Sequence, residues 1–77
     1  MSKKPGPRPQ VGELIWLTDM HKELVHICTV QDTLSDMLRA TYEYSIGEHG
    51  WRERTLFAFY RDCEWDTREQ RWVGKAG

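Results

Sequence analysis

The sequence predicts a mainly β fold, a small antiparallel barrel of four to five strands that follows a disordered N-terminal arm. Short runs of β-branched and aromatic residues recur between positions 11 and 73, and polar or glycine-containing segments separate them. The chain has 77 residues, which is one domain at most. Nine aromatic side chains, four Trp, three Tyr and two Phe, suit the thin core of so small a domain.

The strands are predicted in chain order. Residues 11–18 (VGELIWLT) form the first, and a second starts at Leu24 and runs to about Leu34. A third extends from near Met37 to residue 44, and residues 54–62 (RTLFAFYRD) form the fourth. A short fifth strand involves Trp65 or residues 71–73. Such a set of short strands is typical of SH3-like or Tudor-like barrels.

The fourth strand contains the densest apolar run in the chain, LFAFY at residues 56–60. A strand with one solvated face alternates apolar and polar residues, and this run does not alternate. We therefore expect it to be the central strand, buried on both faces.

Residues 32–44 fit two patterns. As a helix capped by Asp32 or Thr33, they would place Leu34, Met37, Leu38 and Tyr42 along one face. As a strand, they would place Leu38, Ala40, Tyr42 and Tyr44 on one side. The strand is favoured because its alternation is clean, with a turn at residues 35–36.

The two termini are predicted to be disordered, which leaves residues 11–73 as the domain. Residues 1–10 (MSKKPGPRPQ) hold three prolines and the cations Lys3, Lys4 and Arg8, which is typical of a solvated basic arm. Residues 74–77 are too small and polar to pack. No apolar run could span a membrane, and none follows the basic start as in a secretory signal. A cytoplasmic protein with two reduced cysteines is expected.

No spacing in the sequence points to an enzyme, a metal site or a cofactor. Alternating acids at residues 62–66 resemble the start of a calcium loop, but Thr67 and Val73 replace its required glycine and glutamate. His26, Cys28 and Cys63 lack the paired spacing of zinc ligands. The formal charge of −1 argues against a general nucleic-acid coat.

The candidate partner-binding residues are Trp51, Arg52 and Arg54, together with the three cations of the arm, Lys3, Lys4 and Arg8. Tryptophan beside arginine is the composition of a protein-binding hot spot, and it also suits base stacking with phosphate contacts. An equally weighted alternative is that Trp51 caps the barrel while the arginines are solvated. A second such cluster, with a weaker claim, comprises Trp65, Arg68, Arg71 and Trp72.

Over residues 11–66, the segments VGELIWLTD, LVHICTVQDTLSDMLRATY and RTLFAFYRDCEWD are similar to SH3-like small-barrel modules of phage and mobile-element proteins. With its basic, proline-rich arm, the whole chain resembles small host-takeover proteins of lytic bacteriophages. Among these it is most similar to the regulators that bind host RNA polymerase, interfere with the sigma factor at initiation and permit terminator read-through.

The resemblance implies a non-enzymatic protein ligand of bacterial RNA polymerase. The formal charge of −1 predicts little DNA binding of its own, and a monomer without a cofactor is expected. The alternative is a nucleic-acid-binding SH3-like module that uses Trp51, Arg52, Arg54 and the arm.

Overall fold

The computed structural model describes residues 6–77 as one six-stranded sheet. The strands are β1 (Leu14–Asp19), β2 (Leu24–Thr33), β3 (Met37–Ser45), β4 (Trp51–Phe59), β5 (Cys63–Asp66) and β6 (Arg71–Ala76). Single-turn 3-10 helices, Gly47–His49 and Tyr60–Asp62, flank β4. Within the described residues there is no α-helix, so the prediction of a mainly β fold is confirmed.

The sheet has the order β4-β3-β2-β1-β6-β5. Neighbouring strands are antiparallel except for β1 and β6, which pair in parallel from Ile15 opposite Trp72 to Asp19 opposite Ala76. The predicted closed, antiparallel barrel of four to five strands is therefore corrected to an open, mixed sheet of six. The reason lies in residues 63–76, which form a hairpin of two strands and return its second strand alongside β1.

The ambiguous segment is a strand. β2 ends at Thr33 and β3 begins at Met37, and the Leu34 N–H donates to the Met37 carbonyl across the turn at 2.8 Å. The prediction of two strands with a turn at residues 35–36 is thus confirmed. A bulge between Val30 and Asp32 shifts the β2–β3 register.

The curled sheet buries its core on one face, which we call the inner face. The buried apolar residues are Ile15, Leu17, Cys28, Val30, Leu38, Ala40, Ala58, Trp72 and Ala76. Tyr42, Leu56, Tyr60, Cys63 and Trp65 pack against them. The opposite, outer face carries exposed apolar side chains, including Val25 and Ile27. Buried and exposed residues alternate along β1 and β2, so the apolar side chains on one face form the core and those on the other face contact solvent.

The predicted position of the LFAFY run is wrong. Residues 56–59 lie in β4, which is an edge strand, and Tyr60 begins the following 3-10 helix; Ala58 is the one buried residue of the run. Phe57 is 46% exposed, on the outer face. The curled sheet brings the end of β4 near β6, and Phe57 and Phe59 line a shallow cavity there with Lys75 and Gly77. The outer face at this end of β4 is therefore also apolar, and the run does not alternate cleanly.

The folded part reaches beyond the predicted domain limits at both ends. Pro9 is buried, and the Arg8 guanidinium lies 4.6 Å from the centroid of the Tyr60 ring. β6 continues through Ala76, which is 2% exposed because it pairs with Asp19 of β1. Lys3 and Lys4 lie outside the described residues, and the disorder predicted for the first part of the arm stays a prediction.

Candidate functional site

The candidate site is at the end of the β3–β4 hairpin. The chain turns through Gly47–His49, and the Ile46 N–H donates to the Gly50 carbonyl at 2.9 Å. Gly50 has a φ of +93°, a conformation that strongly favours glycine. Trp51 follows as the first residue of β4 and is 70% exposed, so its indole does not cap the core.

Strand alternation separates the three predicted binding residues of this hairpin. Arg52 lies opposite Tyr44 and Arg54 opposite Tyr42, on the inner face. Trp51 lies opposite Ser45, on the outer face. The structure therefore places Trp51 and the two arginines on opposite faces of the same edge strand, with Trp51 and Arg52 as neighbours at its start.

On the inner face, the arginines lie beside a row of aromatic rings. The His26 imidazole stacks on the Tyr42 ring, with centroids 4.0 Å apart and planes 6° from parallel. The Tyr44 ring follows, 6.2 Å from Tyr42 and tilted by 48°. These rings and Arg54 line a cavity of about 460 Å³, together with Lys22 and Glu43. We call it the inner-face cavity.

The charged residues that line this cavity are Lys22, Arg54 and Glu43. Glu43 lines its rim, but the side chain alternates toward the outer face, opposite Glu53. Asp19 is buried nearby, where its carboxylate accepts the His21 N–H at 2.9 Å. That hydrogen bond is the main reason why the pKa of Asp19 lies below its usual value, and the positive charge of Arg54 lowers it further.

Sequence reasoning found the arginines and missed the rings beside them. The alternation places Tyr42 and Tyr44 on one side of the third strand, but it does not indicate that their rings lie beside the arginines. His26 belongs to another strand, and its stacking on Tyr42 depends on the β2–β3 register, which a bulge shifts. The register between β2 and β3 cannot be predicted from a local sequence pattern.

The second tryptophan–arginine cluster is packed rather than open. Trp72 is 3% exposed and meets the edge of Trp65 with ring centroids 5.4 Å apart. The Arg71 guanidinium lies 4.6 Å from the centroid of the Trp16 ring. Arg68 lies in the exposed β5–β6 turn, where its backbone N–H donates to Asp66 at 2.9 Å. This cluster has the contacts of a structural element.

The remaining candidate chemistry has no assembled site among residues 6–77. No three His, Cys, Asp or Glu side chains in that range are placed to hold a metal ion. Both thiols are free, and burial raises the pKa of Cys28 and of Cys63 to about 11. The nearby Asp62 carboxylate adds to the shift at Cys63. Thiols with such pKa values stay protonated at neutral pH and are poor nucleophiles.

Comparison with protein-family models, with curated proteins and with solved structures finds no match for this chain. The described residues also include no helix of the length and apolar character that a membrane crossing requires.

Proposed function

We propose that this protein is a non-enzymatic regulator that binds bacterial RNA polymerase, with Trp51 as its central contact. The observation that carries the proposal is the 70% exposure of this indole at the start of an edge strand. A large aromatic ring left in solvent loses the free energy of burial that a partner surface can restore. Tryptophan and arginine are the residues most enriched in the energetic centres of protein interfaces.

The outer face of β4 offers further contact area. Phe57 lies on the same face as Trp51, six residues along the strand, and is 46% exposed. As an edge strand, β4 also presents backbone groups that an extended segment of a partner can pair with. Arg52 and Arg54 project from the opposite face of the same strand and supply charge for orientation and encounter.

The choice of RNA polymerase as the target is supported by the resemblance of the sequence to SH3-like modules and host-takeover regulators of lytic phages. The proposed regulator acts as a monomer in the host cytoplasm, interferes with the sigma factor at initiation and promotes terminator read-through. Lys3, Lys4 and Arg8 contribute mainly to the rate of association. Arg8 also contacts Tyr60, so Lys3 and Lys4 are the cleaner positions for testing this role.

The test is co-elution of the full chain with purified bacterial core polymerase and with holoenzyme on gel filtration, followed by single-round transcription from a template with a terminator. We expect a stable complex, reduced initiation and increased read-through. Trp51→Ala should lose the complex, whereas Leu34→Ala should keep it, since Leu34 is an exposed apolar residue of the distant β2–β3 turn (49% exposed). Absence of a wild-type complex with either form of polymerase contradicts the proposal.

A further inference from the structure

We propose that the inner-face cavity is a binding site for single-stranded nucleic acid, in which one base stacks on Tyr44 and adjacent phosphates contact Arg52 and Arg54. This site lies on the face opposite Trp51, and the inference does not depend on polymerase binding. It rests on two features: a row of rings in the cavity, and a pair of aligned arginines of which Arg54 lines the cavity and Arg52 lies beside it on the same strand.

The rings offer one open stacking surface. His26 covers one side of Tyr42 at 4.0 Å in a nearly parallel stack, which holds the Tyr42 ring in place. Tyr44 comes next in the row and is 41% exposed. Bases stack on exposed aromatic rings with little dependence on their identity, because every base has a π face. Tyr44 is therefore the ring that a base can reach, and Tyr42 supports it from within.

The cations are aligned for a phosphate backbone. Arg52 and Arg54 project from the same face of β4, two residues and so about 7 Å apart along the strand. Lys22 adds a third positive charge at the cavity wall. Within residues 6–77, the side-chain ion pair that forms is Arg39 with Asp32, so Lys22, Arg52 and Arg54 are not in ion pairs, although the Asp19 carboxylate is close enough to interact electrostatically with Arg54. They are thus available to a polyanion.

The same features disfavour other ligands of aromatic clusters. An aromatic cage for a methylated lysine attracts a cation, whereas Lys22 and Arg54 repel one. Duplex DNA keeps its bases stacked inside the helix, so a duplex can contact the arginines but cannot stack on Tyr44. The combination of an open ring and aligned cations is complementary to an unpaired base with its flanking phosphates.

The experiment is a fluorescence-anisotropy titration of the full chain into a labelled eight-nucleotide oligouridylate at low salt. Tyr44→Ala should weaken binding about fivefold or more, through loss of stacking. Arg54→Gln and Arg52→Gln should each weaken it by roughly threefold and reduce its salt dependence. Arg68→Gln removes the same charge from the β5–β6 turn and should have little effect. Amide NMR spectra establish that each variant is folded.

Competition experiments separate the possible sources of the ligand. We expect unlabelled oligouridylate to displace the probe, and uridine monophosphate or an eight-base-pair duplex to do so only at concentrations at least tenfold higher. Equal competition by the mononucleotide would identify a free-nucleotide site, and equal competition by the duplex would identify a general phosphate contact; either overturns the inference. It is also overturned if oligouridylate does not bind, if Tyr44→Ala binds like wild type, or if Arg68→Gln and Arg54→Gln have equal effects.

Discussion

The two tryptophan–arginine clusters of this protein have similar compositions and opposite environments. Trp51 is 70% exposed at the start of an edge strand, whereas Trp72 is 3% exposed in a strand that pairs on both sides. Arg71 is stacked on Trp16, whereas Arg52 and Arg54 form no ion pair within the described residues. One cluster is part of the fold, and the other remains available to a partner.

The difference arises from sheet position. β6 lies between β1 and β5, so Trp72 pairs with Ile15 on one side and packs against the Trp65 ring on the other. β4 has one strand neighbour, and its first residues extend past the core, which ends at Leu56 and Ala58. Residue composition indicates what a cluster can contact, and its place in the sheet decides whether those contacts are already made.

The largest effect should come from the packed cluster. Trp72→Ala should lower the free energy of unfolding by about 3–5 kcal/mol, because it leaves a cavity beneath Trp65 and against the core. Trp51→Ala should change it by less than about 0.5 kcal/mol, as exposed positions do. Urea denaturation of both variants measures the two values. Similar losses in both would remove the distinction between the clusters.

A second prediction concerns the close packing of β6. A Cβ atom at Gly74 would lie 2.9 Å from Cys63 Sγ, 3.1 Å from a Leu17 methyl group and 3.2 Å from the Asp62 carbonyl oxygen. Gly74→Ala should therefore destabilise the protein by about 1–3 kcal/mol in thermal denaturation, through overpacking. Gly6→Ala is the control, since its nearest contact would be 3.8 Å away. An unchanged melting temperature in Gly74→Ala would show that this region is looser than the structure indicates.

Phe57 should have an intermediate effect. The sequence pattern predicted a fully buried ring, for which truncation to Ala costs about 3–5 kcal/mol. With Phe57 46% exposed, we expect Phe57→Ala to cost about 1–2 kcal/mol. Leu38→Ala, which truncates a fully buried side chain of the neighbouring strand, should cost about 2–5 kcal/mol. If Phe57→Ala proves the more damaging in urea denaturation, β4 is more buried than described.

The effect that is smallest at neutral pH involves the two thiols. Burial raises the pKa of Cys28 and Cys63 from 9.0 to about 11, so the folded protein retains protons that the unfolded chain releases. Stability should therefore fall as the pH rises from about 9 to about 11, by roughly 2 kcal/mol for each thiol. At pH 8, alkylation by iodoacetamide should be about a hundredfold slower than in urea, because the thiolate fraction is lower. Equal rates in the two conditions would show that neither thiol is shielded.

Much of the fold was predictable because strand signals are local. The ends of β2 and β3 and the turn at residues 35–36 follow from alternation and turn residues. β5 was not separable from β6, since it is four residues long and half of it is acidic. Nor was the parallel pairing of β1 with β6 visible, because it joins positions more than fifty residues apart.

The residues of the candidate site could be predicted from the sequence, but the face of the sheet on which each residue lies could not. Trp51, Arg52 and Arg54 are adjacent in sequence, and their division between two faces depends on where β4 begins. The sequence pattern started that strand at Arg54, which left Trp51 in a loop. The contribution of His26 to the inner-face cavity requires a cross-strand contact, which composition does not encode.

The most direct test of the cluster around Trp51 is the dissociation rate of the proposed complex with RNA polymerase, measured by surface-immobilised binding kinetics at two salt concentrations. Trp51→Ala should dissociate at least tenfold faster at both, with little change in association, because loss of a buried aromatic contact acts mainly on dissociation. Leu34→Ala should retain wild-type kinetics at both. A Trp51→Ala variant that is folded and dissociates at the wild-type rate would contradict the assignment of this cluster as the binding surface.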